Sequence, residues 1–241
     1  MLGRVLSDVF SSLLRRAPAE ADANPLARYF FNNRGRQMQK WHHYFEIYDR
    51  HFAPFRGRSP VVIEIGVFHG GSLQMWRDYF GPGAQIVGID VDPRCSAFEE
   101  DGIRVLIGDQ ADRAFLARVR EQVPHADIVI DDGGHRMEQQ ITAFEELYPH
   151  IQPHGVYLCE DVHTSFLSFY GGGYGREGTF LAYAKKLIDR LHAWYSEEPE
   201  RFAVDALTRS TYALHFYDSV LVVEKRPMQA PQNSSTGRPS F

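Results

Sequence analysis

Five side chains able to bind a cation or move a proton fall in two short segments of the chain: Asp131, Asp132 and His135 in Asp-Asp-Gly-Gly-His, and Glu160 and Asp161 after Cys159. Each segment ends an apolar run, so each reads as the tip of a buried strand. Neighbouring strands of a parallel sheet bring such tips side by side. Carboxylates crowded at one rim repel each other unless something positive neutralises them. An all-oxygen set suits a hard divalent cation, Mg2+ first, with Mn2+ or Ca2+ also compatible. Alternation along a strand turns Asp131 and Asp132 to opposite faces, so the two cannot bind equally. Acids after strands also serve as helix caps and turn residues, but two tandem pairs at equivalent strand ends favour chemistry. His135, three residues beyond Asp132, stands where a general base is useful.

A second group lies upstream. Residues 64–72 read Glu-Ile-Gly-Val-Phe-His-Gly-Gly-Ser. Gly66 permits a tight turn, Gly70 and Gly71 let a ligand approach the backbone at a helix start, and Ser72 can cap that helix. The spacing is not the G-x-G-x-x-G of dinucleotide enzymes. The next apolar run ends in Asp90, whose carboxylate can accept both hydroxyls of a ribose, although Asp90 to Pro93 also reads as a turn. The third closes on Gly108, Asp109 and Gln110, placed for an adenine edge. Together the three turns point to an adenosine site.

The elements that must position these groups are short β-branched runs starting at Val61, Gln85, Ile103, Ala126 and Gly155, separated by helical patterns. They predict strands buried on both faces of a parallel sheet with helical crossovers, an α/β Rossmann-like fold. Residues 210–225 carry two apolar runs broken at Asp218 and Ser219, which predicts a C-terminal antiparallel hairpin closing the sheet. Upstream, residues 1–16 have the spacing of a short amphipathic helix, and 17–37 read as a linker. Trp41, Tyr44, Phe45, Tyr48 and Phe52 then recur along one helix face that packs on the core. The predicted organisation is a helical arm over 1–57, a catalytic domain over 58–226 and a disordered tail over 227–241. The glycines of Phe169 to Tyr174, beside aromatic residues, predict a lid.

With 241 residues and 44% hydrophobic content, the chain can bury one sizeable core. A formal net charge of -5, without a long Lys/Arg run, speaks against nucleic acid. The two cysteines, Cys95 and Cys159, have no CxxC spacing. No apolar stretch approaches the roughly twenty residues that cross a bilayer, so the expected location is cytoplasmic, with no membrane partner.

Over about residues 60–225 the pattern resembles the class I S-adenosylmethionine methyltransferases. The resemblance implies that Glu64, Gly66, Gly70, Gly71 and Ser72 hold the methionine part of that cofactor, that Asp90 holds the ribose, and that Asp109 and Gln110 lie near the adenine. The segments 131–135, 139–151 and 155–166 resemble, more specifically, the Mg-dependent sugar O-methyltransferases that decorate macrolides and other glycosylated polyketides. That likeness implies Asp132, Glu160 and Asp161 as metal ligands, Asp131 as the runner-up, and His135 as the general base. It also implies a glycosylated small-molecule acceptor and a homo-oligomer, dimer or tetramer. Trp41, His43, Tyr44 and Tyr170 are the candidate acceptor contacts. One departure is His154, where a glycine is expected. Rival readings are methylation of a non-sugar diol, a non-haem iron hydroxylase using His135 and His163, and a non-catalytic cofactor-binding scaffold.

Overall fold

A computed structural model describes residues 23–241; the helix expected over 1–16 lies outside them. Five parallel strands form one side of the sheet, including one of its edges: β1 (Val61–Ile65), β2 (Gln85–Asp90), β3 (Ile103–Ile107), β4 (Ala126–Asp131) and β5 (Ile151–Cys159). An antiparallel hairpin, β6 (Thr211–Tyr217) and β7 (Val220–Lys225), completes the order β3-β2-β1-β4-β5-β7-β6. Tyr217 pairs with Val220, so Asp218 and Ser219 make the turn. The order reverses direction between β1 and β4, the kind of switch point where ligands bind in open α/β sheets.

Strand alternation divides the core in two. Val62, Ile86, Ile128, Leu158 and Val222 face one apolar layer, built with α1 (Pro25–Asn32), α2 (Tyr44–Phe52) and α3 (Gly71–Phe80). Ile63, Val87, Val129, Tyr157 and Val223 face the other, built with α4 (Arg113–Gln122), α5 (Met137–Leu147) and α6 (Phe180–Leu191). The same parity decides the fate of the acids. Glu64, Asp132 and Glu160 continue the first face, whereas Asp131 continues the second.

The segment expected as a linker contains α1. Asn24 caps it, its Oδ1 accepting from the amides of Leu26 and Ala27, and Pro25 opens it with a preset φ. Leu26 is fully buried against the sheet layer. The aromatic helix starts later than its spacing suggests, at Tyr44, so Trp41 lies in the preceding turn and is 56% exposed. Tyr44, Phe45, Tyr48 and Phe52 are buried as expected, with the Tyr48 ring edge-on to Trp76 at 5.1 Å. His154 adopts φ +72, the left-handed region that glycine favours, within β5. The tail beyond Lys225 carries no regular structure. Among the described residues no helix is long and apolar enough to cross a membrane.

Candidate active site

At the carboxyl end of the sheet, the turn after β1 works through its missing side chains. A Cβ on Gly66, where φ is +97, would stand 2.0 Å from the Asp132 carbonyl oxygen, and one on Gly71 would stand 2.5 Å from that of Arg36. These glycines therefore accommodate the chain's own backbone. Ser72 does not cap α3. It sits inside the first turn and donates to Glu64 Oε2 at 2.7 Å, while Trp76 Nε1 donates to Glu64 Oε1 at 2.9 Å. Asp90 Oδ2 accepts from the amides of Val67 and Phe68, which ties the tip of β2 to this turn.

A cavity of about 400 Å³ opens between these turns, and Gly66, Asp90, Asp109 and Gln110 line it. Glu64, Gly70 and Gly71 are not on its wall. Gln110 is buried and already bonded: its amide nitrogen donates to Asp131 Oδ1 at 3.0 Å and its oxygen accepts from the Gly134 amide at 2.8 Å. A second cavity of about 450 Å³ is lined by Trp41, Ser72, His135, Glu160, Asp161 and Tyr170. Phe68, Asp132 and Gly133 line both, so the two spaces adjoin.

Of the tandem acids, Asp131 turns away. It is fully buried on the α5 side, accepting from Gln110 and from Tyr157 at 3.2 Å, and burial raises its pKa to about 6. Asp132 and Asp161 meet His135 at the rim. His135 Nε2 lies 3.7 Å from Asp132 Oδ1 and 3.5 Å from Asp161 Oδ2, and the three donors fall within 4.8 Å of one another. His135 and Asp161 both carry positive φ, +55 and +53, a conformation unfavourable for side-chain-bearing residues that turns each of them back over the pocket. His135 Nδ1 is buried without a hydrogen-bond partner. The Tyr170 ring lies 6.3 Å from the His135 ring, centroid to centroid.

The residue that sequence reasoning missed is Lys40. Its side chain, 2% exposed, places Nζ 2.5 Å from Asp132 Oδ2, 2.8 Å from Glu160 Oε1 and 3.7 Å from Glu64 Oε1. Burial opposes the charge on Lys40, but Asp132, Glu160 and Glu64 outweigh it and hold its pKa well above the ordinary lysine value. Glu160 also accepts from the Tyr48 hydroxyl at 2.6 Å; burial, with Asp132 beside it, pushes its pKa well up. Tyr44 donates to Asp161 Oδ1 at 2.6 Å, so its hydroxyl is committed to a carboxylate. His43 is exposed and off the cavity wall, its Nε2 3.1 Å from the Asp218 carbonyl. His163 turns its Nδ1 to Ser219 Oγ, which leaves one imidazole and two carboxylates at the rim rather than the two imidazoles and one carboxylate of a non-haem iron set.

The residues present suit a hard divalent cation. Glu64, Asp132, Glu160 and Asp161 bring four carboxylates together and, among the described residues, Lys40 supplies the one ammonium bound among them, while Asp132 and Asp161 offer oxygens at the open rim.

Fold and site together define a class I methyltransferase domain. Residues 63–162 match a family model described as a methyltransferase domain. Among curated proteins, the chain is 38% identical over 199 residues to an 8-demethyl-8-alpha-L-rhamnosyl tetracenomycin-C 2'-O-methyltransferase of Streptomyces olivaceus, covering 78% of this chain and 52% of that one. It is also 38% identical to a mycinamicin VI 2''-O-methyltransferase of Micromonospora griseorubida, covering 76% of this chain and 48% of that one. The chain is thus a homologue of the sugar O-methyltransferases of glycosylated polyketides, spanning about half the length of these curated relatives. A solved structure of the MycE methyltransferase of the mycinamycin biosynthetic pathway, in complex with Mg and SAH, superposes with a TM-score of 0.75 at 35% identity, over 88% of this chain and 55% of that one. Another MycE complex, with Mg, SAH and mycinamycin VI, gives 0.73 at 34% identity, over 94% and 57%.

Proposed function

We propose that this chain is an S-adenosylmethionine-dependent, divalent-cation-dependent O-methyltransferase acting on a sugar hydroxyl of a glycosylated small molecule. The observation that carries the proposal is the junction of the two cavities at Asp132 and Gly133, which sets an adenosine-sized space against a carboxylate rim with a histidine on it. The acceptor class draws on the relatives and on the MycE complex with mycinamycin VI.

Bound S-adenosylmethionine supplies an activated methyl group, and a bound Mg2+ supplies a Lewis acid that makes an acceptor hydroxyl easier to ionise. Asp90 receives the ribose, with Gly66 at the turn and Asp109 and Gln110 at the far wall. Ser72, which lines the adjoining cavity, stands on the methionine side, with Glu64, Gly70 and Gly71 behind the wall and Glu64 acting through Ser72. Asp132 and Asp161 hold the cation, with Glu160 as the third carboxylate. Lys40 and Tyr48 fix Glu160, and Tyr44 fixes Asp161, so each of these two ligands has a partner on α2. His135 takes the acceptor proton at Nε2, where Asp132 and Asp161 stabilise the imidazolium that results. Trp41, with His43 behind it, and Tyr170 border the acceptor, and the 169–174 loop closes over it. Most of the rate gain then comes from positioning, because displacement at a methyl carbon requires near-linear geometry.

The test is a methyl-transfer assay against a panel of glycosylated polyketides, with and without chelator. Activity lost in chelator and restored by Mg2+ is expected; activity indifferent to chelator would remove the cation from the mechanism. Transfer to catechol-type diols but to no glycoside would overturn the acceptor class.

A further inference from the structure

A second set of metal-capable side chains lies outside this site. His51 in the last turn of α2, His215 of β6 and Glu224 of β7 each offer one donor atom, and the three donors lie within 4.8 Å of one another. The ladder explains the meeting. His215 pairs with Val222 and Glu224 with Ala213, so His215 and Glu224 are diagonal neighbours on the sheet face that α2 covers. His51 Nδ1 and His215 Nε2 each stand 3.1 Å from Glu224 Oε1. The His51 contact is a hydrogen bond, but His215 Nε2 is buried and has no hydrogen-bond partner, so a protein-only network leaves that nitrogen unsatisfied.

A cation removes this defect. Metal bonds of about 2.0–2.1 Å place tetrahedral donors about 3.3 Å apart, close to the two 3.1 Å spacings to Glu224 Oε1. The other nitrogen of His51, Nε2, lies 2.9 Å from the Tyr217 hydroxyl, the outer oxygen contact that orients a metal-bound imidazole. Of the four positive side chains around the adjoining cavity, Arg50 pairs with Glu46, Lys225 donates to the carbonyls of Tyr148, Pro149 and Ile151 and Arg226 lies over the Tyr212 ring, while Arg58 lines the cavity wall. A cavity of about 390 Å³ lined by His51 and Glu224 leaves room for an ion to enter and for water to complete its shell.

We propose that His51, His215 and Glu224 form a binding site for a borderline divalent cation of the Zn2+, Ni2+ or Co2+ class, clamping the end of α2 to the C-terminal hairpin. Two imidazoles favour such ions over Mg2+, which prefers oxygen. The site stands at the amino end of the parallel strands, where Glu224 pairs with Val156, and is independent of the methyl-transfer proposal.

The experiment is a Co2+ titration followed by visible absorption, in excess Mg2+, on the wild-type chain and on His215→Ala, Glu224→Gln and Asp161→Asn. One Co2+ with the intense bands of a low-coordinate nitrogen site is expected in wild type and in Asp161→Asn, displaceable by Zn2+. Affinity should fall at least tenfold in His215→Ala and Glu224→Gln. Far-UV circular dichroism in Mg2+ alone checks folding; should Glu224→Gln fail to fold, His215→Ala on the edge strand decides. Equal Co2+ uptake by His215→Ala, absence of uptake by wild type, or loss of the bands only in Asp161→Asn would overturn the proposal.

Discussion

The two turns at opposite ends of α2 face different chemistry. At its start, Tyr44 and Tyr48 hold Asp161 and Glu160 in a carboxylate-rich cluster around Lys40; at its end, His51 meets a second imidazole and a single carboxylate. The carboxylate cluster is built at strand tips, where the chain leaves the sheet and positive φ at His135 and Asp161 aims side chains over a pocket. The imidazole cluster is built on regular ladder positions, with α2 laid across them. Tips thus gather short acid-rich runs that stand out in the sequence, and ladders gather single residues that do not. The donor sets differ accordingly, two carboxylates with one imidazole at one end and two imidazoles with one carboxylate at the other.

The largest expected effect separates the two clusters by chemistry. His135→Ala should lower kcat by about 100- to 10,000-fold in the methyl-transfer assay, the usual range for a general base, while Co2+ uptake at His215 stays as in wild type. A loss below tenfold would take the proton-transfer role away from His135.

Next in size is Lys40→Met. It leaves buried Glu160 and Glu64 without their cation and should destabilise the chain by about 3–5 kcal/mol in urea unfolding, with part regained when Glu160→Gln is added. A Lys40→Met variant as stable as wild type would mean that the ammonium does not hold this cluster together.

Cation binding offers a third comparison. Mg2+ at about a hundredfold its Kd should raise unfolding stability by about 3 kcal/mol. Thermal melts should lose this increment in Asp161→Asn and keep it in His215→Ala, and the opposite pattern would exchange the roles of the two ends. The smallest effect belongs to Trp41→Ala. This exposed ring should change stability by under about 0.5 kcal/mol, yet raise KM severalfold at unchanged kcat if it borders the acceptor. An unchanged KM would remove Trp41 from the acceptor site.

What could be read from sequence follows the same division. Strand tips were legible because buried β-branched runs end abruptly in Asp, Glu and Gly; parity put Asp131 and Asp132 on opposite faces, and the family resemblance chose Asp132. The hairpin was legible from Asp218 and Ser219. Lys40 was not, since a lysine beside an aromatic run ordinarily stays in solvent and is buried here only because acids from three strands converge on it. Ser72 read as a cap, but its hydroxyl is taken by Glu64 inside the helix. The helix after Asn24 was overlooked although Asn-Pro is a helix-start signal, because eight residues give too short a period to recognise. His51, His215 and Glu224 come from distant segments, and only the β6/β7 register joins them.

The most direct measurement of the central claim is an anomalous difference map from crystals grown with Mn2+ and S-adenosylhomocysteine. A manganese peak within bonding distance of Asp132 and Asp161, beside an adenosyl group seated against Asp90, is the result expected. Manganese absent from that rim while the adenosyl pocket is filled would contradict it.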